Sequence, residues 1–111
     1  MARLSVTKPH WGEVWWADLP ADKRRPVLIL TRENFIEHLS AVLVAPVTTS
    51  VRNIPTEVLL SEQEGLPREC AANFDNTLTL PKHHLVARIG VVEADKIAQI
   101  CRAYRFAADC S

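Results

Sequence analysis

Three features are scarce in this chain of 111 residues, and each scarcity excludes a class of protein. The first is cysteine. Cys70, Cys101 and Cys110 are odd in number and form no Cys-x-x-Cys pair, so their spacing indicates neither a disulfide framework nor a zinc site. We therefore expect reduced thiols, with Cys70 and Cys101 in the core, and neither a metal nor another cofactor.

Long apolar runs and an excess of one charge are also missing. No segment approaches the roughly 18 apolar residues of a membrane span, and residues 1–10 do not resemble a signal peptide. These absences predict a cytoplasmic protein with no membrane partner. Thirteen basic and thirteen acidic side chains cancel, so a nucleic-acid interface would require a local basic patch.

The order of the predicted elements favours a mainly β fold in one domain, residues 1–111. Short apolar segments bounded by turn residues predict strands, and they do not alternate with helices as in a parallel sheet. We therefore expect a small antiparallel barrel or sandwich. The predicted strands are 12–19, 26–31, 41–47, 57–60, a bent segment 69–80, and 85–91, with a helical turn at 32–39.

A helix is predicted over residues 93–107. Ile97, Ile100, Cys101 and Tyr104 recur at helical spacing, which predicts one apolar helical face. In the first strand, Trp15 and Trp16 are adjacent, and adjacent strand residues face opposite sides. At most one of the two tryptophans can therefore lie in the core.

Two of the predicted strands have polar ends of complementary chemistry. Lys23-Arg24-Arg25-Pro26 leads into one apolar strand, and a later strand finishes in Thr48-Thr49-Ser50. If these two strands are neighbours, a guanidinium and a hydroxyl meet at one rim of the sheet. A planar fork of N–H donors beside a hydroxyl is suited to binding a phosphodiester.

The ordered set GEVWWADL, RRPVLIL, VLVAPVTTS and FDN, followed by the predicted helix, resembles the MazF/PemK family of toxin endoribonucleases over residues 12–104. The resemblance implies an SH3-like, CcdB-like barrel and a homodimer. It also implies sequence-specific, metal-independent cleavage of single-stranded RNA, which inhibits translation, and neutralisation by a cognate antitoxin. The expected substrate is mRNA, with rRNA and tRNA as further classes.

Carried over residue by residue, the catalytic arginine of the family falls on Arg25 and its catalytic threonine on Thr48. The family often has a longer loop between its first two strands, and a glutamine where this chain has Asn76. The RNA sequence preference is therefore not carried over. The residues expected to contact RNA are Arg24, Thr49, Ser50, Arg52 and Asn76.

RNA supplies its own nucleophile, the 2′-hydroxyl, so attack on the adjacent phosphorus leaves a 2′,3′-cyclic phosphate and a 5′-hydroxyl. Arginine is a poor proton acceptor near neutral pH. Whether Arg25 moves protons or only stabilises charge stays open at this point. His83 and His84 are sequential, so on a strand they would diverge and could not both face one phosphate.

Two functions of other classes fit the same predicted barrel. One is a non-enzymatic topoisomerase poison of the CcdB type, which acts through its C-terminal helix. The other is a plain SH3-like protein-binding module. Neither needs an arginine and a hydroxyl at the rim of a sheet, so Arg25 and Thr48 favour the endoribonuclease.

Overall fold

The computed structural model describes residues 8–20 and 23–108, and within them the chain forms seven β-strands and two α-helices. Three-residue 3-10 turns join several of these elements. None of the helices in this part of the chain is long and apolar enough to cross a membrane. The elements are β1 Glu13–Asp18, β2 Arg24–Ile29, α1 Glu33–Ile36, β3 Ala41–Thr48, β4 Glu57–Leu60, β5 Cys70–Asn73, β6 Leu78–Pro81, β7 Leu85–Val91 and α2 Ile97–Ala108.

The strands form one antiparallel sheet in the order β4-β5-β3-β2-β1-β7. β3 is the longest strand and organises the sheet. One of its edges pairs with β2, while the other pairs with β6 along residues 41–44 and with β5 at residues 47–48. The predicted mainly β antiparallel fold with a C-terminal helix is confirmed. The bent segment predicted at 69–80 is two strands, β5 and β6, separated by a 3-10 turn at Phe74–Asn76.

Both faces of the curled sheet are covered, which explains the continuous apolar run in β2. Leu28 belongs to a core that includes Ile100 and Ala103 of α2, whereas Val27 and Ile29 belong to a second core with residues of α1, β6 and β7. β2 begins two residues earlier than predicted, because β1 pairs with it as far as Arg24. Residues 21 and 22, between the two strands in sequence, lie outside the described residues.

The side of α2 that faces the sheet differs from the predicted apolar face. Ile100 and Ala103 are buried, but Ile97 and Tyr104 are 44% and 41% exposed, and Cys101 is also exposed. Ala103 makes a smaller contact surface than a large apolar residue, and it allows the helix to approach the sheet closely. The prediction that Cys101 lies in the core is therefore wrong.

Of the other cysteines, Cys70 is buried as predicted, and its burial raises the pKa of the thiol. Cys110 lies outside the described residues. The two adjacent tryptophans also follow the prediction, since Trp15 is half-buried and Trp16 is exposed.

The buried carboxylate of Glu13, at the start of β1, accepts three hydrogen bonds. Its Oε1 accepts hydrogen bonds from the backbone N–H of His10 (2.8 Å) and from Nε1 of Trp15 (2.9 Å), and its Oε2 accepts one from Nε of Arg88 (2.7 Å). Burial alone would raise the pKa of Glu13, but the three donors together hold it below the ordinary value of 4.5.

Candidate active site

Arg25 and Thr48 occupy matching positions on two neighbouring strands. β2 and β3 pair in antiparallel register with Val27 opposite Pro46. Continuing this register by two residues brings Arg25 opposite Thr48, on the sheet face that also carries Val27. The prediction that the two strands are neighbours is therefore confirmed, and the arginine and the threonine lie at one rim of the sheet.

Two prolines explain why the strands separate at this rim. Pro46 belongs to the last pair of the β2–β3 ladder, and Pro26 comes directly before the first residue of β2 that pairs with β3. Proline has no backbone N–H and cannot extend a ladder of hydrogen bonds. The end of the ladder leaves space between the strands, and Arg25 and Thr48 line that space.

The space is a cavity of about 600 Å³, which we call the rim cavity. Two arginines and four hydroxyl- or amide-bearing residues line it together with apolar residues, and no carboxylate among the described residues does. Such a surface is complementary to an anion with polar substituents. The lining residues are Leu19, Pro20, Arg25, Pro46, Thr48, Ser50, Arg52, Asn73, Asn76 and Leu78.

The Thr48 hydroxyl is held by the turn that follows β3. Its Oγ1 accepts a hydrogen bond from the backbone N–H of Ser50 at 3.0 Å. A hydroxyl has one donor and two acceptor sites, so this contact occupies an acceptor site and leaves the proton for another partner. The turn therefore favours Thr48 as a hydrogen-bond donor.

Asn73 and Asn76 come from the 3-10 turn between β5 and β6. The side-chain oxygen of Asn73 accepts the backbone N–H of Asp75 at 2.9 Å, while the Asp75 carboxylate accepts the hydroxyl of Thr56 at 2.7 Å. These bonds assign Asp75 a structural role and leave Asn76 exposed on the cavity. Sequence reasoning missed Asn73, although asparagine directly before such a turn is a favoured cap.

Two of the residues predicted to contact RNA are not among those that line the rim cavity. Arg24 precedes Arg25 on the strand and faces the other way, where its Nε donates to Asp18 at 2.9 Å, beside the exposed Trp16. This ion pair lowers the pKa of Asp18. Thr49 is exposed in the turn between Thr48 and Ser50. The structure thus brings Arg25, Thr48, Ser50, Arg52 and Asn76 together, but not Arg24 and Thr49.

The histidines in the described part of the chain lie away from the rim cavity. His83 and His84 belong to a 3-10 turn rather than to a strand, with their rings in edge contact, and Nδ1 of His84 lies 2.9 Å from the carbonyl oxygen of Asp18. His10 pairs with Glu33 at 2.5 Å, and this hydrogen bond raises the pKa of the imidazole.

A second cavity of about 650 Å³ adjoins His10, at the other end of β1. Two glutamates and two lysines line it with the histidine, so its charges largely cancel. The described lining of the rim cavity differs, because its charged residues are the two arginines. Among the described residues, no group of three or more His, Cys, Asp or Glu side chains could hold a metal ion.

Known proteins with similar sequences identify the family of this chain. Residues 10–107 match the family model described as PemK-like, MazF-like toxin of type II toxin–antitoxin systems. The chain is 38% identical over 104 residues to a protein of Mycobacterium tuberculosis named as a probable endoribonuclease, MazF5, covering 93% of this chain and 95% of that protein.

Solved structures give the same result. The toxin MazF-mt6 of Mycobacterium tuberculosis superposes with a TM-score of 0.83 at 40% identity, over 89% of this chain and 98% of that one. A mycobacterial endoribonuclease in complex with its cognate antitoxin superposes with a TM-score of 0.82 at 29% identity, over 94% of this chain and 98% of that one.

Proposed function

Because this chain belongs to the PemK-like, MazF-like family of type II toxins, we propose that it is an endoribonuclease that cleaves single-stranded RNA in the rim cavity. The observation that carries the proposal is the matched position of Arg25 and Thr48 where the β2–β3 ladder ends. A phosphate seated between the two strands would receive donors from both. The topoisomerase poison is not favoured, since the relatives compared above are named as endoribonucleases.

The proposed reaction uses the 2′-hydroxyl of the RNA as its nucleophile. The 2′-oxygen forms a bond to the adjacent phosphorus and loses its proton, while the bond from phosphorus to the 5′-oxygen breaks and that oxygen gains a proton. The products are a 2′,3′-cyclic phosphate and a 5′-hydroxyl. We propose that this chemistry needs no metal-activated water and is independent of metal ions.

Arg25 and Thr48 contribute charge stabilisation and orientation. Negative charge accumulates on the non-bridging oxygens as the phosphorus becomes five-coordinate, and donors already aimed at those oxygens lower the barrier. Arginine side chains remain protonated in proteins, so we assign Arg25 to stabilising this charge rather than to accepting a proton. Thr48, whose hydroxyl proton is not used by the Ser50 contact, donates to a second oxygen.

Recognition of the RNA is assigned to the loops around the pair. Ser50, Arg52, Asn73 and Asn76 line the same cavity and offer donors and acceptors to base edges and flanking phosphates. The RNA must be single-stranded, because bases have to be splayed out of a helix before their edges can be read. We propose that these residues set the sequence specificity of cleavage, and that cutting of mRNA inhibits translation.

Two protein partners follow from the same proposal. The related mycobacterial endoribonuclease forms a complex with its cognate antitoxin, which supports an antitoxin for this chain as well. We expect an acidic segment with apolar anchors that folds on binding and competes with RNA for the rim cavity. We also propose a homodimer, which would align two basic rims along one groove.

The test is cleavage of two matched oligonucleotides by the purified chain. One is all RNA, and the other carries a single 2′-deoxy residue at the cut position. We expect the first to be cut in the presence of EDTA, leaving a 2′,3′-cyclic phosphate, and the second to resist. Cleavage of both at equal rates would contradict attack by the 2′-hydroxyl, and loss of cleavage in EDTA would contradict metal independence.

A further inference from the structure

The carboxylate of Glu57, at the first position of β4, is the most buried acid next to the rim cavity. Its side chain is only 1% exposed, whereas that of its partner Arg52 is 53% exposed. An ionised carboxylate is costly to remove from water unless several donors surround it. The hydrogen-bond donors around the Glu57 carboxylate therefore indicate its structural role.

Among the described residues, the three hydrogen bonds to the Glu57 carboxylate come from the loop between β3 and β4. Its Oε1 accepts the backbone N–H groups of Arg52 (2.8 Å) and Asn53 (3.2 Å), and its Oε2 accepts Nε of Arg52 (2.9 Å). Asn53 has a φ of 56°, in the left-handed region. Successive N–H groups that converge in this way form an anion-binding concavity, and the Glu57 carboxylate is the anion that fills it.

The contact to Nε fixes the direction of the Arg52 side chain. A guanidinium has five N–H donors, and one held through Nε still carries four on its two terminal amino groups. Arg52 lines the rim cavity, so its side chain lies beside the space in which a phosphate would sit. Restricting the side chain before RNA arrives reduces the conformational entropy lost on binding.

We propose that Glu57 is a positioning residue, which holds the guanidinium of Arg52 toward a phosphate that flanks the scissile bond. The inference rests on the proposed endoribonuclease activity and extends it to a residue outside the cavity lining. The proposal also predicts a change in RNA affinity that is opposite in sign to the change expected from the altered net charge alone. Removing a carboxylate near an anion site raises the local positive potential and should tighten RNA binding, whereas loss of positioning should weaken it.

The test substitution is Glu57→Gln, which keeps the size and shape of the side chain. The amide oxygen can still accept the two backbone N–H groups, but the amide NH₂ would then face Nε–H of Arg52, donor against donor. We expect KM for a short RNA to rise about 10-fold, with kcat changed by less than about twofold, because flanking contacts bind ground state and transition state alike.

Glu13→Gln is the matched control. Glu13 has the same arrangement, with one oxygen on two N–H donors and the other on an arginine Nε, but its partner Arg88 does not line the rim cavity. We expect KM to stay within about twofold in this variant. In an Arg52→Ala background, Glu57→Gln should add no further increase in KM, because its effect passes through Arg52.

Several outcomes would overturn the role of Glu57. These are an unchanged or lower KM in Glu57→Gln, an equal rise in Glu13→Gln, or a full additional rise in the Arg52→Ala background. If Glu57→Gln does not fold, the slowly exchanging Arg52 Nε–H signal expected by NMR in the unaltered chain decides, and its absence contradicts the proposal. An unaltered chain that cuts no RNA would instead contradict the endoribonuclease itself.

Discussion

Arg25 and Thr48 lie far apart in sequence but meet through a simple geometric rule. In an antiparallel pair, moving back along one strand matches moving forward along the other. Two residues back from Val27 is Arg25, and two residues forward from its partner Pro46 is Thr48. The prolines, Pro46 in that last pair and Pro26 next to it, lie where the ladder ends. The catalytic assignment therefore depends on backbone register and not on the flexible reach of a long side chain.

This assignment predicts a large loss of cleavage from single substitutions. Arg25→Ala and Thr48→Ala should each reduce kcat by about 10²-fold or more, since each removes a donor to the developing charge. Arg25→Lys should restore only part of the rate, because an ammonium cannot make the bidentate contact. Cleavage of a defined RNA is the measurement, with circular dichroism to verify folding.

Arg24→Ala and the double change of His83 and His84 to alanine serve as controls. Arg24 is the adjacent arginine on the opposite face of β2, so its loss should change cleavage by less than about threefold. A full loss of activity in the double-histidine variant, with Arg25→Ala still active, would move the site to histidine acid–base catalysis.

At this scale the sequence predicted five of the six polar residues that line the rim cavity. Arg25, Thr48, Ser50, Arg52 and Asn76 could be found because they follow strand ends or match a family pattern. Asn73 and Glu57 could not, since their importance lies in hydrogen bonds that exist only after the loops have folded. Arg24 could not be separated from Arg25 without knowing which face of β2 each one occupies.

Among the secondary-structure elements, the strands were predicted best. β4 and β7 have the predicted bounds, because their apolar runs end at turn residues. The face of α2 was not predictable from spacing alone. A helix with small residues on one side and large apolar residues on another can turn either side toward the sheet. Which side is buried depends on the space left between the helix, Phe74 and the sheet.

The start of β1 gives a prediction about stability and pH. Glu13→Gln should lower the free energy of unfolding near neutral pH by about 1.5–3 kcal/mol, the range for hydrogen bonds to a charged group. The folded pKa of Glu13 lies below its ordinary value of 4.5, so its contribution is complete above that pH and disappears as the pH falls through the folded value.

Thermal or urea unfolding of both proteins as a function of pH measures this effect. The stability gap between the unaltered chain and Glu13→Gln should be widest above pH 4.5 and should close as the solution becomes more acidic. A gap that stays constant down to about pH 2, below the range in which carboxylates titrate, would show that the ionised carboxylate is not what stabilises β1.

For the whole molecule, the distribution of apolar surface favours self-association. Large apolar side chains remain exposed on α2 and on the edge strand β7, including Ile97, Tyr104 and Phe106 of α2 at 44%, 41% and 59%. A stable dimer interface removes about 800 Å² of surface from each partner. We expect light scattering at micromolar concentration to give about twice the monomer mass of 12.5 kDa. A monodisperse and fully active monomer would contradict the homodimer.

β3 is bonded along both edges, to β2 on one side and to β6 and then β5 on the other. Local opening of any one neighbour therefore leaves β3 held by the others, and we expect it to be among the last parts of the sheet to unfold. Thr48 ends this strand. We therefore expect each molecule in a heated or stored sample to keep full activity until it unfolds globally. The half-life of the activity should then equal the half-life of global unfolding.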